Sequence, residues 1–204
     1  MAIDSTLNSR NNSSGVAATI VQPGESTRQL GAEQASVQHV AGFSVNYEHP
    51  FLKNERETQN MASAANARSP GALQSVAIYT SKPSCGISEA RLVVATYAQG
   101  VTMNIDGAAN GSIAQVSTLD GITNPESTVT PITISGLPAR KVSYRAKRRG
   151  GVIGVDSIVV SAPSTNTLWQ FQLIFAAGKT NNYAALSAPQ SCAQEIFNSI
   201  VIEA

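Results

Sequence analysis

Between Thr130 and Phe175 the chain carries strand-like segments one after another, and this run restricts the fold more than any other feature of the sequence. Thr130 to Ser135, Arg140 to Arg148, Val152 to Val160 and Leu168 to Phe175 are segments of strand-favouring pattern. The links between them contain Gly136-Leu-Pro138, Gly150-Gly151 and Pro163-Ser-Thr-Asn166, which are turn formers, so an antiparallel meander is the economical topology. In the last segment Trp169, Phe171, Leu173 and Phe175 alternate with Gln170 and Gln172, which predicts an apolar inner face packed on helices.

The flanking sequence supplies the remaining elements. Phe43, Val45 and Tyr47 alternate with Ser44, Asn46 and Glu48 until Pro50 stops the run, a first strand. Asn54 to Ala67 reads as a modest helix or a loop. Val76 to Tyr79 and Leu92 to Tyr97 read as strands, separated by Lys82-Pro83 and the segment around Cys85. Ile105, Ala109, Ile113 and Val116 share one face of a helix that Gly121 ends. After the Trp-bearing strand, Ser187 offers an N-cap and Pro189 sits in the first turn. Cys192, Ile196 and Phe197 then form the apolar stripe of a closing helix that runs into Ile200 to Ile202. The expectation is an α+β domain over 41–204, an antiparallel sheet of about six strands with helices packed on it. Residues 1–40 are dominated by Ser, Asn, Gly, Gln and Ala, with one apolar run from Val16 to Val21. Such a composition buries too little surface to offset its ordering entropy, so a flexible polar N-terminal arm is expected there.

A chain of 204 residues holds one such domain plus an extension. Its net charge of +1 gives no field to steer it to nucleic acid, and no stretch approaches the roughly 20 apolar residues of a membrane span. The first thirty residues lack the apolar core of a signal peptide, so an exported form would be one whose leader had already been removed before Met1.

Little in the sequence points to catalysis. His39 and His49, near Glu48, Glu55 and Glu57, lack the spacing of a metal site, and solvated loop positions are expected for both. Asn104-Ile-Asp106-Gly107 lacks the carboxylates of a calcium loop, and Asp106 is expected to cap the helix. The glycines at 150, 151 and 154 lead into a strand rather than a helix, so they read as a hairpin turn and not a phosphate loop. With no G-x-S-x-G elbow and no base beside a Ser or Cys, a non-enzyme without cofactor or metal is expected. Cys85 and Cys192 have no zinc spacing; they either form one disulfide or remain as two buried thiols.

One segment carries a functional gradient. Six of the fourteen cationic residues fall between Arg140 and Arg149. On an extended strand Lys141, Arg145, Lys147 and Arg149 project to one face, with Val142, Tyr144 and Ala146 on the other. This stripe is a candidate anion- or partner-binding surface, expected on the side of the sheet away from Trp169 and Phe171. The alternative is a solvated outer face that discourages edge pairing.

Several segments together resemble the PsbP-like and DcrB-like superfamily of small α+β domains. They are Phe43-Ser-Val45-Asn-Tyr47, Ile134-Ser-Gly136-Leu-Pro138-Ala139 leading into the basic strand, Leu168-Trp169-Gln170-Phe171, and Ile196-Phe197-Asn198-Ser199-Ile200. The resemblance covers about 160 residues and rests on packing and turn signals, so it speaks to fold before function. It implies a non-catalytic binding or accessory protein of the bacterial cell envelope, periplasmic, tethered or secreted, whose partner is another protein or an anionic envelope component. The alternative it implies is a cytoplasmic adaptor that binds a secreted effector.

Overall fold

The computed structural model describes residues 35–119 and 121–203, and the expected arm lies outside the described residues except for its last few positions. Those positions, Ser36–Val40, form a strand. Strand β1 (Ser36–Val40) pairs antiparallel with β2 (Phe43–Tyr47) through Ala41-Gly42, both at positive φ as a two-residue hairpin turn requires. On the other edge of β2 lies β10 (Val201–Ile202), completing a small three-stranded sheet.

The larger sheet is fully antiparallel. It is built from β3 (Leu52–Lys53), β4 (Leu73–Ser81), β5 (Glu89–Tyr97), β6 (Thr123–Ile134), β7 (Leu137–Arg148), β8 (Gly151–Ala162) and β9 (Thr167–Gly178), in the order β3-β4-β5-β9-β8-β7-β6. The predicted meander is β6 to β9. The sheet has seven strands rather than about six because the short β3 adds to one edge, while the first predicted strand, β2, belongs to the other sheet.

Helices α1 (Glu55–Arg68) and α2 (Ile105–Ser117) precede the meander, and a 3-10 turn (Tyr183–Leu186) runs directly into α3 (Ser187–Asn198). Asn54 caps α1 and Asn104 caps α2, each side-chain oxygen accepting a backbone N–H three residues on. Asp106 is therefore not the cap. Ser187 makes no capping bond either, because the 3-10 turn shifts the cap upstream to Asn182, which accepts from Ala184 N.

Both faces of the large sheet are covered, and every residue of the central strand β8 is buried. On one face Trp169, Phe171, Leu173 and Phe175 pack with Phe43, Val45 and Phe51 under the small sheet, and with Ile196 and Phe197 of α3. Phe171 sits at the centre, its ring in contact with Phe43, Phe51 and Phe197. Trp169 Nε1 donates to the Ala41 carbonyl at 3.0 Å, so the buried indole keeps a partner. The Trp169 row thus meets a second sheet as well as a helix. On the other face α2 lays Ala109, Ile113 and Val116 over Val142, Tyr144, Ile153 and Val155.

Candidate functional site

The cationic segment occupies β7, and the structure divides it between surroundings that an extended-strand reading does not separate. Arg140 points to the α2 side, where its Nε meets Asp106 Oδ1 at 2.6 Å. Lys141 donates to the Gln194 side chain on α3. Arg145 is only 9% exposed. Lys147 is half-buried, while Arg148 and Arg149 are exposed, Arg149 lying beyond the last residue of the strand.

Arg145 is the sharpest departure from an open stripe. Its Nη1 lies 2.8 Å from Asp156 Oδ1 and its Nη2 donates to Oδ2 at 3.0 Å, a bidentate pair with Asp156 also nearly buried. Ser143 Oγ donates to the same carboxylate at 2.8 Å. The guanidinium carbon stands 4.8 Å from the centre of the Phe175 ring, and that ring lies across Gly154, where a Cβ would overlap it. The Gln190 amide of α3, with its oxygen turned inward, accepts from Arg145 Nε at 2.7 Å. Lys141, Arg145 and Lys147 do share a face, but it is the face of Trp169 and Phe175, not the opposite one, and α3 closes over it. The register of β7 on β8 and β9, which aligns Arg145, Gly154 and Phe175, is the reason. Arg145 is thereby withdrawn from any solvent-facing stripe.

Cys85 and Cys192 form a disulfide, their Cα atoms 6.5 Å apart. It ties the exposed loop between β4 and β5 to α3. Beside it Pro189 packs against Gly86, which adopts positive φ, so the loop and the first turn of α3 meet closely. Cys192 is half-buried here, and the buried stripe of α3 is Ala193, Ile196 and Phe197.

The two histidines are not both loop residues. His39 lies in β1, with Nδ1 2.8 Å from Ser44 Oγ and 3.0 Å from Glu203 Oε1, while Ser44 Oγ donates to the same carboxylate oxygen. With the Ser44 hydroxyl hydrogen directed at Glu203, His39 Nδ1 must carry its own hydrogen to donate. A serine nucleophile needs its base at one ring nitrogen and the carboxylate at the other. Here both contacts converge on Nδ1, which is the arrangement of a latch. The two hydrogen bonds, from Ser44 first and His39 second, hold the Glu203 carboxyl below its ordinary 4.5. A carboxylate so lowered contributes stability above its unfolded pKa and loses it as pH falls through the folded value. Glu203→Gln is therefore expected to lower the melting temperature at neutral pH, with the gap to the parent protein closing as the pH drops below about 4.5. Thermal melts across that range measure it, and a gap that stays constant contradicts the latch. His49 Nε2 stands 4.0 Å from Glu48 Oε1, and among the described residues no three His, Cys, Asp or Glu side chains gather as metal ligands do.

An open apolar groove lies between α1 and α2. Its volume is about 500 Å³, its floor is Val76, Val93, Ala95 and Leu168, and its walls are small side chains such as Ala65 and Ala108, with Gly111. Arg68, in the last turn of α1, is the single charged residue lining it. The groove exists because α1 is Ala-rich and buries only Thr58, whose Oγ1 accepts from Ile78 N at 3.0 Å. Gln170 crosses its far side and donates to Ser112 Oγ at 2.8 Å. Sequence reading missed the groove. The available signal was the absence of large apolar residues at helical spacing in 55–68, which marks a helix face that cannot fill the space beneath it.

No family profile and no curated protein matches the chain. Among solved structures it is similar to PA94 of Pseudomonas aeruginosa, a protein of unknown function, at 18% identity and a TM-score of 0.35, over 60% of this chain and 81% of that one. It is also similar to LpqN of Mycobacterium tuberculosis, involved in cell envelope biogenesis, at 15% identity and a TM-score of 0.39, over 64% of each chain.

Proposed function

We infer that this chain is a non-catalytic binding protein of the bacterial cell envelope, exported and working through the groove between α1 and α2. The groove carries the reading. Ligand sites are concave, mostly apolar and marked by a few polar groups, with volumes of roughly 300 to 1,000 Å³. The groove, at about 500 Å³ with an aliphatic floor and one arginine, has that character. The Lys141 and Arg145 side chains are instead engaged by Gln194 and Gln190 of α3. The Cys85–Cys192 bridge supports export, since such bonds persist in oxidising compartments. The resemblance of its sequence segments to PsbP-like and DcrB-like domains implies a binding role, and of the two branches it implies, the envelope one suits a bridged chain better than the cytoplasmic adaptor.

The test is made in cells. A photoreactive residue at Met61, inside the groove, is expected to give a crosslinked adduct, while the same residue at Thr128 on the exposed edge strand β6 gives none. Thiol trapping before lysis is expected to find both cysteines blocked and the protein outside the cytoplasm. Equal adducts at the two positions would remove the groove from the reading, and reduced cysteines would remove the compartment.

A further inference from the structure

We propose that the groove between α1 and α2 binds an amphiphile made of a straight aliphatic chain and an anionic head, with the head at Arg68. The proposal rests on the reading of the groove as the binding face and names the class of its ligand. Three observations select that class. The floor is formed by aliphatic side chains, with Val93, Ala95 and Leu168 almost wholly withdrawn from solvent, so the contact available to a ligand is dispersive and non-directional. Charge enters at one place only. Arg68 stands at the C-terminal end of α1 and has no ion-pair partner among the described residues, unlike Arg91, which Glu57 holds at 3.2 Å. Finally, α1 is a 14-residue helix with a single buried side chain, although isolated helices of that length are marginal and depend on burying an apolar face. An inserted chain supplies the burial that α1 lacks.

Shape favours a single extended chain over a bulky ring. The small residues Ala65 on one side and Ala108 and Gly111 on the other leave the gap, and the stretch of α1 from Met61 to Arg68 that borders it rises about 10 Å at 1.5 Å per residue. A slot of that length between two helices accepts methylenes in line. Each added methylene then strengthens binding by about fourfold, the equivalent of roughly 0.8 kcal/mol, until the chain outgrows the slot.

The experiment is calorimetric titration of the intact protein with hexanoate, octanoate, decanoate and dodecanoate below their micellar concentrations, and with dodecylammonium as the cationic counterpart. Expected is a fourfold gain per methylene that levels off, and at least tenfold weaker binding of dodecylammonium. Ala65→Trp and, from the opposite wall, Gly111→Leu are expected to abolish binding. A Cβ at Gly111 meets nothing within 4 Å, so the backbone there accepts a side chain, and an unchanged melting temperature of the second variant confirms that it folds. Arg68→Glu is expected to reverse the preference between the two heads. Co-sedimentation with phosphatidylglycerol vesicles tells a membrane lipid from a free acid as the source. Binding without chain-length dependence, equal binding of the two heads, or undiminished binding by Gly111→Leu each overturns the proposal. Absence of any binding overturns the ligand class, while the Met61 adduct reports independently on whether the groove is used at all.

Discussion

Removal of the Cys85–Cys192 bridge by a double alanine substitution is expected to destabilise the domain by about 2 to 5 kcal/mol. The bridge spans a sequence separation of 107, and in the chain-entropy account the cost of losing it grows with the logarithm of the closed loop. Its placement adds a local consequence. The loop around Cys85 is exposed and contributes few buried groups other than Ile87, so with the bridge gone it has little besides the Gly86–Pro189 contact to keep it on α3. Denaturant unfolding of the two proteins measures the difference, and hydrogen exchange locates it. A loss below about 1 kcal/mol would mean that the unfolded chain is not usefully constrained by the bridge. The same change is expected in the parent protein on adding reductant, because Cys85 faces solvent.

The second large effect belongs to Arg145 and Asp156. Breaking a buried ion pair from one side leaves a charge without its partner, and the usual cost is about 3 to 5 kcal/mol. Arg145→Met and Asp156→Leu are each expected to fall in that range. The double change to apolar residues of similar volume, Arg145→Met with Asp156→Leu, is expected to recover most of the loss, since the desolvation of two charges disappears together with their attraction. Urea unfolding of the three variants closes a double-mutant cycle, and costs that simply add would show that the pair does not act as a unit. Gln190 and Phe175 suggest where the damage spreads. Gln190 lies in the first turn of α3 and Phe175 is part of the main core, so losing Arg145 loosens the helix from the sheet. A solvent-facing Arg145 would predict almost no change.

The strands of the meander were legible because their pattern is local. Period-two alternation and turn glycines such as Gly136 act over a few residues and need no knowledge of the partner strand, although the turn itself is Ser135-Gly136 and Leu137-Pro138, expected in it, pair within β7. The helix over 105–117 was equally plain, since Ala109 and Val116 are buried as their spacing predicts. Capping was read less well. Asp106 and Ser187 are good capping residues by type, yet Asn104 and Asn182 do the capping, because the helix starts elsewhere by a few residues. Strands β1, β3 and β10 were overlooked for a similar reason. They are short, and β3 and β10 have two residues each, so only their pairing makes them strands.

The sequence by itself determined the fold class, the order of the main strands and helices, and which residues of each strand share a face, because propensity and periodicity are properties of neighbours along the chain. What covers each face was decided only in three dimensions. The registers of β7 on β8 and of β8 on β9 put Arg145, Gly154 and Phe175 in one row, and the return of α3 turned a basic stripe into a buried pair. The same holds for the pairing of Cys85 with Cys192, for Glu203 meeting His39 and Ser44 across the small sheet, and for the space that α1 and α2 leave between them. Each joins residues far apart in sequence, and apart from the small-residue face of α1 these closures leave no mark in local composition.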